Sequence, residues 1–228
     1  MNENISQHEI KYITRRLATK LRKGVEQFRV TVLTGARQVG KSTLLQHEFP
    51  DFTYLTLDDY ALREQARLDP QSLWAGTDRL IIDEAQKLPE IFDAIKLAVD
   101  QAGTKRKFIL SGSTNLLLMR RVTESLAGRA YYLELLPLTW GEEHGHAVAG
   151  NFASLWQAEN RIPEISAGPI PSLPFLLRGF MPRLAAFSGH DEVLNWLEGY
   201  VRTYLERDLR ELSQVDSLVD FRKVMQCL

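Results

Sequence analysis

The chain has 228 residues, a formal net charge of −1, 44% hydrophobic residues and 25% charged residues. That length supports one large domain or one and a half, and the near-neutral charge excludes a global field that would draw in nucleic acid or an anionic membrane. The single cysteine, Cys227, excludes an intrachain disulfide and a cysteine-built zinc cluster.

No apolar run approaches the roughly 20 residues of a membrane-spanning helix, and the opening MNENISQHEI lacks the layout of a signal peptide, so a soluble cytoplasmic protein is expected. A helix is expected from about Ser6 to Lys23. Its Lys11, Arg15, Arg16, Lys20, Arg22 and Lys23 form either a solvated face or a local nucleic-acid patch, and the solvated face is the default. Phe28–Leu33 reads as a strand, Lys41–Glu48 as a helix and FTYLTLDD (52–59) as a second strand. A polar helical stretch follows, with Pro70 opening a new turn. DRLIIDEAQ gives a third strand ending at Asp83. LPEIFDAIKLAVDQAG is a helix with Pro89 in its first turn and Gly103 just past its end. KRKFILSGS is a fourth strand, TNLLLMRR a short helix and RAYYLELL a fifth strand. Almost continuously apolar strands alternating with helices predict an α/β fold, a parallel sheet of about five strands covered by helices on both faces.

The texture changes after PLTWGE. Residues 146–178, with Pro163, Pro169, Pro171 and Pro174, read as an irregular connection. A long helix is expected from near Asp191, with Val193, Leu194, Leu197, Val201, Tyr204, Leu205, Leu209 and Leu212 on its apolar side and Glu198–Arg202 and Arg202–Glu206 able to pair on the other. The expected organisation is therefore 1–145 as a nucleotide-binding domain with its N-terminal helix, 146–178 as connection and 179–228 as the start of an incomplete helical domain.

Between the first strand and its helix, Gly35, Ala36, Arg37, Gln38, Val39, Gly40, Lys41 and Ser42 fit G-x-x-x-x-G-K-[ST] without a gap, with Thr43 following. Glycines let successive N–H groups face a phosphate, and the helix N-terminus adds its positive end. Lys41 supplies a point charge for the β- and γ-phosphates, and Ser42 a hydroxyl for Mg²⁺. Asp83 is placed at the ligand edge of the sheet to hold Mg²⁺. Glu84 either orients or deprotonates a water attacking the γ-phosphate, or is a solvated residue at a helix entry. Ser113, Thr114 or Asn115 would reach the γ-phosphate, with Asn115 the first choice, unless they only cap a helix. Arg129 is either an arginine delivered to a neighbouring subunit's nucleotide or a surface residue beside a glycine turn. EEHGH (142–146) reads as a polar loop rather than a metal site. Because no guanine-reading N/T-K-x-D motif is present, ATP is the expected nucleotide.

The order TGARQVGKSTLL, FTYLTLDD, RLIIDEAQKLPEI, FILSGSTNLLL, SLAGRAYYLELLPLTWGE resembles the bacterial and archaeal AAA-type ATPases that carry a C-terminal domain of unknown function. GFMPRL (179–184) and WLEGYVRTYLERDLREL (196–212) resemble the opening of that domain. The resemblance implies an AAA-type sheet with the phosphate-loop strand in the middle, Lys41 and Ser42 on ATP and Mg²⁺, Asp83 on Mg²⁺ and Glu84 as acid/base. It matches SGSTN to a sensor strand, Arg129 to an arginine finger in a homo-oligomer, and Arg183 loosely to a lid arginine. Family members continue well past the long helix, so a fragment or truncated chain is expected. An ATPase with turnover, a nucleotide-gated switch or DNA-binding module, and, least favoured, a kinase are the readings in play; nucleic acid as a partner is possible but unsupported, and no membrane is expected.

Overall fold

The computed structural model describes residues 12–101, 105–113, 126–145, 173–187 and 189–205. The sheet domain runs α1 (Leu17–Gln27), β1 (Val30–Thr34), α2 (Lys41–Glu48), β2 (Thr53–Thr56), α3 (Tyr60–Leu68), β3 (Arg79–Asp83), α4 (Ile91–Asp100), β4 (Lys107–Ser111) and β5 (Ala130–Glu134). Short 3₁₀ turns, Pro70–Trp74 and Ala85–Lys87, flank β3. Beyond the sheet lie α5 (Trp140–Glu143), α6 (Leu173–Arg178), a 3₁₀ turn (Pro182–Ala186), α7 (His190–Tyr200) and a π turn (Val201–Leu205).

All five strands are parallel, in the order β2-β3-β4-β1-β5, so the phosphate-loop strand β1 lies inside the sheet between β4 and β5. Strand alternation divides the interior into two cores. Val30, Val32, Leu80, Ile82, Phe108 and Leu110 face α4 and the Leu73–Trp74 turn. Leu33, Ile81, Ile109 and Leu133 face α1 and α2 through Ala18, Leu21, Val25, Leu44 and Leu45. Both faces are therefore dry, which is why these strands read as unbroken apolar runs. Truncating a buried leucine in either layer removes contacts on both sides of the cavity left behind, at a cost of about 2–5 kcal/mol. Gly24 lets α1 settle onto β5: a Cβ there would stand 2.4 Å from the Tyr131 ring.

Asp59 caps α3 through its carboxylate, which accepts from the Ala61 and Leu62 N–H groups, and Asp69 starts the following turn by accepting from the Gln71 N–H. Three expectations need correction. The N-terminal helix begins at Leu17, and residues 12–15 are not helical, because the Arg15 side chain is drawn into the protein, as described below. The connection expected to be irregular through 178 ends in a helix, α6. The long C-terminal helix stays α-helical only to Tyr200; Gly199 weakens helix propensity just before the π turn, and Leu194 of the expected apolar stripe is half exposed. Val193 is buried and Arg202 pairs with Glu198 as expected. Residues 6–11 of the expected first helix, Gly103, the helix expected at TNLLLMRR, Glu206, Leu209, Leu212 and Cys227 lie outside the described residues. Among the described residues no helix is long and apolar enough to cross a membrane.

The C-terminal end of α1 is closed from another strand. Lys107 Nζ donates to the carbonyls of Val25, Glu26 and Phe28 at 2.9, 2.8 and 2.9 Å. These orphan carbonyls lose a charged donor in Lys107→Met, which is expected to lower unfolding free energy by about 1–2 kcal/mol in a urea titration, with the denaturant slope unchanged.

Candidate nucleotide site

The loop between β1 and α2 is held in a shape few residues allow. Gly35 has φ of 151°, and a Cβ there would stand 2.3 Å from the Leu135 carbonyl oxygen, so the loop passes β5 as bare backbone. Gln38 and Gly40 also have positive φ, 61° and 93°, which curls the chain into α2. Lys41, the first residue of α2, is buried and donates through Nζ to the carbonyls of Gly35 and Ala36, both at 2.9 Å. Val39 is fully buried and anchors the loop in the core.

Asp83 ends β3 and is 3% exposed. Its Oδ2 accepts from Ser42 Oγ at 2.5 Å and from the Tyr54 hydroxyl, and its Oδ1 accepts from the Glu84 N–H at 3.0 Å. Burial pushes the carboxyl up, but these donors outweigh it and hold it below the ordinary aspartate range, so Asp83 is charged at neutral pH. Burial and the bond to Asp83 raise the Tyr54 phenol, which therefore stays a donor.

Glu84 adopts the left-handed conformation, φ 55°, a costly state for a glutamate and one found at functional turns. Gln86 Nε2 donates to Glu84 Oε2 at 2.6 Å and to Ser113 Oγ at 3.3 Å, tying the glutamate to the end of β4. A carboxylate only accepts, which fixes the orientation of the Gln86 amide. Its Oε1 is buried without a hydrogen-bond partner.

Lys41, Ser42 and Glu84 open onto a cavity of about 490 Å³. Arg37, Gln38, Gly40, Lys41, Ser42 and Thr43 form its loop side, with Asp58 and Glu84 adjacent. Tyr12, Ile13, Arg15, Leu138, Pro182 and Arg183 complete it. The Arg183 guanidinium also sits 5.7 Å from the Phe187 ring. Tyr200, on α7, donates its hydroxyl to the Arg37 carbonyl at 3.2 Å. The Leu138 N–H donates to the Phe180 carbonyl at 2.8 Å. The C-terminal segment thus touches the phosphate loop itself.

Arg15 is the residue whose environment differs most from expectation. It is 5% exposed rather than solvated. Its guanidinium donates to the Val39 carbonyl at 2.8 Å and to the Leu136 carbonyl, and pairs with Glu142, itself 4% exposed, at 3.4 Å. Glu142 also accepts from the Arg16 N–H at 2.6 Å and from the Thr139 N–H at 2.8 Å, closing a capping box on α5. Tyr12 stacks on His47 at 3.6 Å and donates to Glu48 at 2.9 Å. The segment before α1 is therefore strapped across α2 and the loop.

The structure brings Lys41, Ser42, Asp83 and Glu84 to one sheet edge. Ser113, the second choice for a sensor, is buried there; Asn115 and Thr114 lie outside the described residues. Arg129 is not in the cavity. The register pairing Val30 with Ala130 and Thr34 with Glu134 puts it at the opposite rim, where it grips Asp100 through Nε at 2.6 Å and Nη2 at 3.0 Å. His144 donates from Nδ1 to the Trp140 carbonyl at 2.9 Å and lies tilted against the Trp140 ring; His146 lies outside the described residues. Sequence reasoning missed Tyr12, Ile13, Tyr54, Asp58, Leu138 and Pro182 as site residues. For Tyr54 the sequence carried no signal; the register shows it, since in β2 it shares a face with Thr56, the register partner of Asp83.

Residues 27–144 match the model of the AAA domain family. The chain belongs to the AAA-type P-loop ATPases. Residues 174–228 match a domain of unknown function (DUF8612), so this family member carries the two parts in tandem. Two uncharacterized proteins, one of Mycobacterium bovis and one of Mycobacterium tuberculosis, are each 32% identical to it over 197 residues, 86% of this chain and 39% of theirs. The chain spans about two fifths of the length of these curated relatives. Among solved structures, the Walker-type ATPase PABY2304 of Pyrococcus abyssi shares the fold, with a TM-score of 0.57 at 18% identity over 89% of this chain and 77% of that one.

Arg15→Ala removes the cation that pairs with buried Glu142. It is expected to cost about 3–5 kcal/mol of unfolding free energy, and Glu142→Gln in the same chain is expected to restore part of the loss, measured by chemical denaturation as a double-mutant cycle.

Proposed function

We propose that the chain binds ATP with Mg²⁺ and hydrolyses it to ADP and phosphate, coupling the state of the nucleotide to the arrangement of its C-terminal segment. The observation that carries this reading is the Ser42–Asp83 pair at 2.5 Å beside Lys41, with Glu84 the next residue and in the same cavity.

The donor set fits a magnesium ion. Asp83 is buried yet ionised, and the Ser42 hydroxyl lies against it. One carboxylate, one hydroxyl and the nucleotide's own phosphates, with water, are the oxygen ligands Mg²⁺ takes in such sites. When bound, the ion supplies charge neutralisation for the phosphates. The remaining chemistry belongs to the chain. Loop N–H groups and the α2 N-terminus hold the β-phosphate, and the Lys41 ammonium offsets the charge that gathers on the phosphate oxygens as the bond to the leaving ADP breaks. Glu84, with Oε2 held by Gln86, takes the proton of the attacking water on Oε1 as the new phosphorus–oxygen bond forms. The products are ADP, phosphate and one proton released to solvent.

Two features support the coupling. Tyr200 holds the Arg37 carbonyl of the loop, and Pro182 and Arg183 line the cavity, so a filled site presses on the C-terminal segment directly. Arg129 lies at the rim opposite the chain's own loop, paired with Asp100. We assign it to a neighbouring subunit's nucleotide, for which it must release Asp100.

Phosphate release from Mg·ATP over a range of protein concentrations tests the reading. Lys41→Ala is expected to abolish nucleotide binding. Glu84→Gln is expected to keep ATP binding and lose at least about 100-fold in turnover. Wild-type chain that binds ATP but releases no phosphate at any concentration would sink the hydrolase and leave a nucleotide-held switch.

Assembly is read from the same assay. If Arg129 acts across an interface, activity per molecule rises with concentration, and Arg129→Ala flattens that rise with a loss of about 10³-fold. A concentration-independent rate, unchanged in Arg129→Ala, makes it a surface partner of Asp100.

A further inference from the structure

We propose that Tyr54 is a positioning residue for the cation side of the site: its hydroxyl fixes the aim of the Asp83 carboxylate, so the grip of Asp83 and Ser42 on a divalent cation depends on a tyrosine from the neighbouring strand. The inference rests on the reading of Asp83 and Ser42 as the cation's holders.

The sheet register is the first argument. Tyr54 pairs with Ile81, and Thr56 with Asp83. Ile81 and Asp83 lie two apart on β3 and share the face covered by α1 and α2, the face on which Tyr54 also packs. A side chain as long as tyrosine reaches its diagonal neighbour two residues along the adjacent strand. The tyrosine hydroxyl does so here, landing on Asp83 Oδ2.

The second argument is how Asp83 is held. A carboxylate at a strand end can rotate about its terminal torsion, which has broad wells. Oδ1 is fixed by the Glu84 N–H and Oδ2 by two hydroxyls, from Ser42 and Tyr54. The Ser42 oxygen is itself a ligand in this reading, so its position shifts when the cation arrives. Tyr54 is the side-chain donor that comes from the neighbouring strand: it is absent from the cavity lining, and its ring is partly buried in the apolar layer. It is thus the constant partner that keeps Oδ2 in place across the cycle. Groups that orient a metal-binding carboxylate from behind typically change metal affinity by 10–100-fold when removed.

The test is the gain in ADP affinity that Mg²⁺ confers, taken as the ratio of dissociation constants in EDTA and in Mg²⁺ by calorimetry. Tyr54→Phe keeps the ring in its apolar layer and removes only the hydroxyl. The expected result is an unchanged affinity in EDTA and a gain about 10-fold smaller than in wild type. With Mn²⁺ in place of Mg²⁺, the electron paramagnetic resonance lines of the bound ion are expected to broaden in Tyr54→Phe as Asp83 samples more than one orientation. An equal gain in both chains overturns the proposal and leaves Tyr54 as packing. So does a loss of affinity that is the same with and without metal, which would place its effect on the loop. If wild type shows no metal-dependent gain at all, the parent reading of Asp83 and Ser42 fails first, and Tyr54→Asn then distinguishes a merely structural bond by its melting temperature. A misfolded Tyr54→Phe, seen as a lost cooperative melt, also counts against a role confined to aiming Asp83.

Discussion

One hydrogen bond, from Ser42 Oγ to Asp83 Oδ2, joins two strands that are not neighbours. β1 leads to Ser42 and β3 ends in Asp83, and β4 runs between them. Leu110 of β4 pairs with Val32 on one side and Ile82 on the other, so Ser111, the next residue, lies beneath the bridge. Ser111 is buried there. The rest of the site follows from that bridge. α2 must start where Ser42 can reach Asp83, which sets the curl of the loop. β2 must stay in register with β3, which sets where Tyr54 can put its hydroxyl.

Around this fixed edge the cavity is assembled from distant parts of the chain. The segment before α1 brings Tyr12, Ile13 and Arg15, the sheet brings the loop and the acids, and the segment after α6 brings Pro182 and Arg183. Arg15 and Tyr200 hold the loop from two sides, each through a backbone carbonyl, Val39 and Arg37. Carbonyl anchors of this kind constrain the path of the loop without occupying the N–H groups that would face a phosphate. The loop is therefore braced by groups that do not compete with a nucleotide for it.

What could be read from the sequence was what local physics decides. The G-x-x-x-x-G-K-S spacing fixes a loop and a helix start without any tertiary contact, and α2 has the expected limits, Lys41–Glu48. A charged residue closing an apolar run marks the end of a buried strand, which located Asp83. The five-strand parallel sheet followed from alternation. Contacts set by folding were not legible. Arg15 carried a helical periodicity and a basic neighbourhood, yet its guanidinium found Val39, Leu136 and Glu142, which are far away in sequence and outweigh a helix across residues 12–15. Tyr54 looked like any β-former, and only the register with β3 points it at Asp83. Arg129 could be placed before β5, at the rim opposite the loop in a parallel sheet, but nothing local showed its grip on Asp100.

The way Arg15 is buried also bears on how this molecule can be taken apart. The match to the family model covers residues 27–144, which spans the sheet but begins at the last residue of α1. A piece cut at that point would keep every residue of the phosphate loop and both strand-end acids. It would lack Ala18, Leu21 and Val25, which cover one face of the sheet, and it would strip Glu142 of Arg15 and of the Arg16 N–H. The sheet and its loop thus lean on residues before the region that defines the family, Tyr12 and Arg15 among them.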